Sequence, residues 1–316
     1  MPELGYALSS EEHPAPDLVA NAVRAEECGF GFALISDHYH PWTDCQGESP
    51  FVWSVIGAIG QATERLRLGT GVTCPTVRLH PGIVAQAAAT AQQLMDGRFF
   101  LGVGAGENLN EHIFGAYWPS PDERQEMLEE AIDVMRLLWQ GGYQTHRGKH
   151  YRVENARIYS LPDELPPIAV AAGGPEAAKL AGEKGDALVA TSPDADLVQA
   201  DRDAGGDGPR YGQLTVCFDE DEARARKTAL EVWPNAGLGG ELSFELPLPR
   251  HFEQAAEVLT EDQVAESVVC GPDVDKYLEQ ITAFEDAGFD HVYVHQVGRD
   301  QEAFFRFAER ELLIKV

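Results

Sequence analysis

Phe32-Ala33-Leu34-Ile35-Ser36-Asp37-His38-Tyr39-His40-Pro41-Trp42 is a short strand-like run that ends in a cluster of polar and aromatic side chains. The segment before it, Pro16–Cys28, has helical spacing, opens on a proline whose missing N–H is harmless there, and stops at Gly29. The segment after it, Pro50–Thr63, again begins with proline and reads as a helix. The same alternation runs the length of the chain. Further strand-like runs are Leu4–Leu8, Leu66–Val72, Phe99–Val103, Ile168–Ala171, Ala187–Ala190, Gln213–Phe218 and His291–His295, which makes eight in all. Helical segments Pro81–Met95 and Pro121–Trp139 close on Gly97 and Gly141-Gly142, and in the second Leu128, Ala131, Ile132, Met135, Leu138 and Trp139 recur at helical spacing. Eight strands alternating with helices predict an α/β fold, a (β/α)8 TIM barrel, and 316 residues is an ordinary length for one such domain with insertions.

Two stretches break the rhythm. Residues 140–167, with Tyr143, Tyr151 and Tyr159 amid Gly and Pro, read as an insertion that forms a small hairpin. Residues 234–262 carry Pro234, Pro247, Pro249, Gly237, Gly239 and Gly240 and read as a long loop over the barrel mouth. Asp194–Arg210 is short and rich in Gly and Asp, so the sixth helix is expected to be abbreviated.

Twenty-four Lys and Arg against 52 Asp and Glu give a net charge of −28. A phosphate backbone would be repelled, so nucleic acid is not an expected partner. The acids are spread through every segment, as on a solvated acidic surface suited to a high-salt cytoplasm, where screening shortens the Debye length to about 3 Å near 1 M. No apolar run is long enough to span a membrane, and no secretory signal opens the chain, so a cytoplasmic protein is expected. Cys28, Cys45, Cys74, Cys217 and Cys270 are odd in number and form no CxxC pair, which speaks against a disulfide framework and against a zinc site.

In a barrel of this kind reactive groups come from the C-terminal ends of the strands. His38 can exchange a proton near neutral pH, Glu107 can complement it, and Trp42 offers a flat wall, a set suited to oxidising a hydroxyl. Taken singly, each has a plainer role: His38 and Asp37 as loop caps, Trp42 packed on the rim, Glu107 in a solvated turn. Gly102-Val103-Gly104-Ala105-Gly106 departs from G-x-G-x-x-G, so it is poor evidence for a dinucleotide fold, but its glycines would let backbone approach a planar ring. Ala172-Gly173-Gly174-Pro175, small residues at a strand end before a helix start, would leave N–H groups free for a phosphate.

Together, Ser36-Asp37-His38-x-x-Pro41-Trp42, Leu68-Gly69-Thr70-x-Val72, Phe100 to Glu111 and Ala171-Ala172-Gly173-Gly174-Pro175 resemble the luciferase-like barrel superfamily, and within it the F420-dependent glucose-6-phosphate dehydrogenase group. The resemblance implies coenzyme F420 across the barrel mouth, in contact with Asp37, Cys74, Gly106, Asn110 and Ala172, Gly173 and Gly174, over a cis peptide between Gly71 and Val72. It implies His38 as general base, Trp42 as a stabilising wall and Glu107 as the acid that protonates the cofactor at N1. On the substrate side it places Glu11, Thr191, Asp194, Arg250 and His251. It also implies a homodimer and a small-molecule substrate.

The chain departs from that group where a phosphate would bind. A lysine of the group falls on Asp194 and an arginine near Ser267, which points away from glucose 6-phosphate and towards an unphosphorylated sugar or a secondary alcohol. Three alternatives share the barrel: an FMN-dependent monooxygenase, an F420H2-dependent reductase, and a cofactor-binding protein without turnover.

Overall fold

The computed structural model describes residues 1–316. Its eight principal strands are β1 (Glu3–Leu8), β2 (Phe32–Ile35), β3 (Arg67–Thr70), β4 (Phe99–Val103), β5 (Ile168–Ala171), β6 (Ala187–Ala190), β7 (Arg210–Cys217) and β8 (His291–Gln296). Each pairs in parallel with the next, and β8 pairs with β1, which closes the barrel. The helices α1 (Ala15–Cys28), α2 (Val52–Ala62), α3 (Pro81–Leu94), α4 (Pro121–Trp139), α5 (Pro175–Lys184), α6 (Ala195–Asp203), α7 (Glu222–Val232), α8 (Val274–Ala287) and α9 (Gln301–Phe307) complete the fold. The expected alternation therefore holds at every strand. No helix is long and apolar enough to cross a membrane, and all five cysteines are free thiols.

Side-chain alternation sorts each strand into two faces. Leu4, Tyr6, Leu8, Ala33, Ile35, Leu101, Val103, Val170, Leu188, Leu214, Val216, Val292 and Val294 point outward into the large core shared with the helices. Phe32, Leu34, Phe100, Ala169, Ala187, Val189, Tyr211 and Tyr293 point inward and form a second core. Phe100 stacks on Tyr211 at 5.0 Å, and Phe32 meets the same ring edge-on at 5.3 Å. Room for these rings comes from Gly5 and Gly69, where a Cβ would lie 2.4 Å and 2.1 Å from Phe32 and Phe100 atoms. The N-terminal half of the barrel is thus plugged by aromatic rings.

The insertions differ in kind. Residues 140–167 contain the expected hairpin, Gln144–Arg147 against Arg152–Ala156, clasped to α4 where Glu130 accepts from the backbone N–H of His150 and Tyr151. Residues 234–262, expected as a loop, are instead a run of short helices, Leu242–Glu245, Pro249–Ala256 and the start of Glu261–Ala265. Prolines and glycines there punctuate helices rather than prevent them: Pro249 sits in a first turn, and Thr260 and Gln263 form a reciprocal capping box. Val264 of the last of these helices joins Cys217, Ala225, Ala229, Trp233, Val268, Cys270 and Val297 in a small core, against which Ala236, Leu259 and Trp42 pack. The backbone carbonyl of Glu245 accepts from Asn108 Nδ2, so this cap reaches across the mouth from the β7 side to the β4 side. The expected abbreviation of the sixth helix holds, since α6 has nine residues.

Candidate active site

The loop after β2 carries His38 and Trp42, and its shape is fixed from three directions. Asn110 Oδ1 accepts from the backbone N–H of Tyr39 and His40, at 2.8 and 3.1 Å. Gln46 Oε1 accepts from Trp42 N at 2.8 Å while its amide donates to the Val232 carbonyl. Ser49 Oγ donates to the His38 carbonyl at 2.7 Å. Asn110 lies in the short helix Asn108–Glu111 that Glu107 caps, so the β2 and β4 loops are tied together and bring Glu107, half-buried, to the same mouth as His38 and Trp42.

His38 lies 5.0 Å from Trp42, ring centroid to ring centroid, and the indole is held on its far side by Phe252 of the cap at 5.2 Å. His38 Nδ1 is 3.2 Å from the His40 carbonyl, which can only accept, so Nδ1 carries the proton of the neutral ring and Nε2 is left as the basic atom. Glu11 Oε1 stands 3.4 Å from that Nε2. Burial pushes the Glu11 carboxyl up, but the His38 ring and the Ser36 hydroxyl that donates to it outweigh burial and hold it below the usual carboxylate range.

Beneath the loops lies a buried charge cluster. Arg78 Nη2 donates to Asp37 Oδ1 at 2.9 Å and to its backbone carbonyl at 3.0 Å, and Thr73 Oγ1 donates to Asp37 Oδ2 at 2.7 Å. Asp37, expected as a cofactor contact, is thus a buried clamp between the β2 and β3 loops with both carboxylate oxygens engaged. Glu111 is fully buried, accepts from Val77 N and Arg78 N, and stands 3.5 Å from Arg78 Nε. Burial opposes the Arg78 charge, yet Asp37 and Glu111 raise its pKa above the ordinary value. For Glu111 burial wins and pushes the carboxyl up to about 7. The partners differ because Arg78 makes its close contacts to Asp37, which leaves Glu111 under-compensated.

The remaining residues expected at a cofactor follow the adjoining strands β3, β4 and β5. The Gly71–Val72 peptide is cis, and Val72 is half-buried at the mouth. Gly102 and Gly104, read from sequence as an approach surface for a ring, serve this bulge first. A Cβ on Gly102 would lie 1.9 Å from the Thr70 carbonyl oxygen, and one on Gly104 would lie 2.8 Å from Val72 Cγ2. Gly106 has φ +91 and packs on Glu111 and Cys74. Cys74 is buried there, and burial, with Glu107 and Glu111 nearby, pushes its thiol well above the ordinary range. By contrast a Cβ on Gly173 or Gly174 would meet nothing within 4 Å. Ala172 is buried and Ala171 half-buried beside them.

On the substrate side the residues separate. Glu11 is in the site. Thr191 is exposed after β6, and Asp194, expected to face substrate, accepts from Asp196 N at 2.9 Å as the cap of α6. Arg250 is exposed and His251 half-buried in the cap helix whose Phe252 covers Trp42. Sequence reading missed Arg78 and the clamp role of Glu111, although an arginine five residues after Thr73 and an acid beside Asn110 were visible. It also missed His295, Gln213 and Thr215, whose inward direction follows from strand register alone.

A model of the family described as luciferase-like monooxygenase matches residues 1–291. The chain belongs to this family. This luciferase-like barrel is 38% identical over 320 residues to the F420-dependent glucose-6-phosphate dehydrogenase of Intrasporangium calvum, covering 96% of each chain. It is 36% identical over 325 residues to the protein of the same name from Segniliparus rotundus, covering 98% of this chain and 96% of that one. Among solved structures, an F420-dependent secondary alcohol dehydrogenase in complex with an F420-acetone adduct superimposes with a TM-score of 0.90 at 30% identity, over 98% of this chain and 97% of that chain. The F420-dependent tetrahydromethanopterin reductase of Methanopyrus kandleri, at 20% identity and TM-score 0.81 over 99% of each chain, shares the luciferase-like fold.

Proposed function

We propose that this protein is an F420-dependent dehydrogenase that removes a hydride from a hydroxyl-bearing carbon. The observation that carries the reading is the His38–Trp42 pair at the end of β2 beside an arc of small residues at the ends of the adjoining strands β3, β4 and β5. The residues on that arc fit a large planar group. Gly173 and Gly174 face open space, Ala171 and Val72 are half-buried there, and Asn110 Nδ2 is buried without a partner because both neighbouring backbone N–H groups require the amide oxygen. Asn110, Val72, Gly106 and the Ala172–Gly174 turn would hold the deazaflavin, which when bound supplies a two-electron hydride acceptor.

The chain's own residues then divide the proton chemistry. His38 Nε2 takes the proton of the substrate hydroxyl, and Glu11 at 3.4 Å stabilises the imidazolium that results. The Nδ1 contact with the His40 carbonyl keeps the ring in the tautomer that leaves Nε2 basic. Trp42, fixed by Phe252, walls the reacting carbon and excludes water. Glu107, half-buried on the β4 side of the mouth, is the residue that would pass a proton to the reduced cofactor. No cation is free at the β6 loop, where Asp194 caps its own helix, so an unphosphorylated substrate fits better than a sugar phosphate.

Titration of the purified protein with F420 and with FMN tests the reading, followed by a screen of alcohols, sugars and sugar phosphates for loss of the oxidised deazaflavin's absorbance. Tight F420 binding with hydroxyl-dependent bleaching is expected. FMN binding with oxygen uptake, or bleaching only in reverse with F420H2 and an acceptor, would replace the reading with a monooxygenase or a reductase.

We infer further that two copies associate through α2 and α3. Charged residues make up 24% of the chain, yet neither the 11 residues of α2 nor the 14 of α3 include one. Phe51, Ile83 and Leu94 are exposed on that face and line a groove of about 350 Å³ with Gly57, Ala87 and Ala91. A charge-free apolar surface on so acidic a protein fits a second copy of itself. The acid-rich remainder of the surface fits operation at high salt.

A further inference from the structure

The inward ring at the open end of the barrel is chemically lopsided. On β3, β4 and β5 it consists of Gly71, Val72, Gly104 and Ala171, none of which offers a hydrogen-bonding side chain. On β7, Tyr211 belongs to the inner core and Leu214 and Val216 to the outer one, so Gln213 and Thr215 also point inward. On β8 the same alternation turns His295 inward, directly opposite Thr215 in the register. Nothing in the proton chemistry above uses these three residues.

Each has unused hydrogen-bonding capacity. Gln213 and Thr215 are half-buried at the mouth, and their mutual contact, Nε2 to Oγ1 at 3.4 Å, is long. It leaves the Gln213 amide oxygen free. His295 is 3% exposed; Trp233 packs edge-on against its ring at 4.5 Å, and Nε2 lies 3.3 Å from Glu12 Oε2. Its Nδ1 is buried with no partner. Buried polar atoms of this kind are normally satisfied, and at the wall of a binding site a ligand or a water can do so.

The charges around this wall restrict what that ligand can be. Glu11 and Glu12 stand beside it, and the buried Arg78 is held by Asp37 and Glu111. An anionic group placed here would meet these carboxylates at close range, while Arg78, the guanidinium buried beneath the loops, is already engaged by Asp37 and Glu111. Neutral hydroxyls, which both donate and accept, match an amide, a hydroxyl and an imidazole nitrogen.

We propose that Gln213, Thr215 and His295 read a second hydroxyl of the substrate, so that the preferred donor is an uncharged polyhydroxylated molecule, a neutral sugar or vicinal diol. This rests on the dehydrogenase reading above. A site built to hydrogen-bond a hydroxyl discriminates against analogues that lack it, because its own polar groups are then left unpaired.

The test measures kcat/KM with F420 for 1,2-propanediol, 2-propanol, glucose and glucose 6-phosphate, in the wild type and in Gln213→Leu and Thr215→Val. The wild type is expected to favour the diol over 2-propanol, and glucose over its phosphate, by at least about tenfold. Each variant should collapse the diol-to-2-propanol ratio by roughly tenfold, with F420 affinity by fluorescence titration and melting temperature held. Equal loss for both donors, a wild type that prefers 2-propanol, or one that prefers the sugar phosphate overturns the proposal while leaving an F420 dehydrogenase in place. Absence of F420 binding, or of bleaching by every donor, sinks the dehydrogenase reading and this proposal with it.

Discussion

Glu111→Gln isolates the electrostatic cost of holding the loops after β3 and β4 together. The carboxyl is buried with a pKa of about 7 against an ordinary value of 4.5, so between those pH values the folded state binds more protons than the unfolded chain. Stability contributed by the protonated form is therefore complete below about pH 4.5 and is lost as the pH rises through 7. At about 1.36 kcal/mol per tenfold change in affinity, the loss is about 3 kcal/mol, or roughly 5–10 °C in melting temperature. Glutamine keeps an oxygen for the Val77 and Arg78 N–H groups but cannot ionise. Urea unfolding of both proteins at pH 5 and pH 8 measures the effect, and subtracting one from the other removes the titration of all other groups. The variant should gain about 2.5 kcal/mol relative to wild type between the two pH values. A difference that stays flat, or moves the other way, would refute the claim that Arg78 is committed to Asp37 and leaves Glu111 under-compensated.

His38→Ala should lower turnover by about 10²–10⁴-fold while F420 affinity, read by fluorescence, stays nearly intact; parallel loss of both would reduce His38 to a structural role. Gly173→Leu should leave the melting temperature near that of the wild type, since nothing lies within 4 Å of a Cβ there, yet weaken F420 binding by more than about tenfold; unchanged affinity would move the cofactor elsewhere. Ile83→Glu should convert a dimer to monomer in light scattering without unfolding it, and a wild type that is already monomeric removes the inference about α2 and α3. Melting temperature should rise between low salt and molar KCl, where a net charge of −28 is screened; no rise would separate the acidic composition from salt adaptation.

Much of this protein was legible before any coordinates because its local signals agree with its global fold. Strands such as Phe32–Ile35 and Phe99–Val103 have the observed bounds, and prolines at Pro81 and Pro121 mark real helix starts. The catalytic candidates were visible for a related reason: a residue just past a barrel strand has one place to go. What the sequence alone could not settle was how many partners each charged group would find. That Asp37 also clamps two loops together was not legible, because Arg78 and Thr73 arrive from another loop. That Asp194 caps its own helix is likewise a finding of the structure. Residues 234–262 looked like loop, because proline and glycine report local breaks and say nothing of the tertiary core that lets short helices persist between them. Composition and period determined the barrel, its open end and the residues sent there. Only the closed structure decided which of them face one another across the mouth, since hydrogen-bond satisfaction and burial depend on strands far apart in sequence being brought into register.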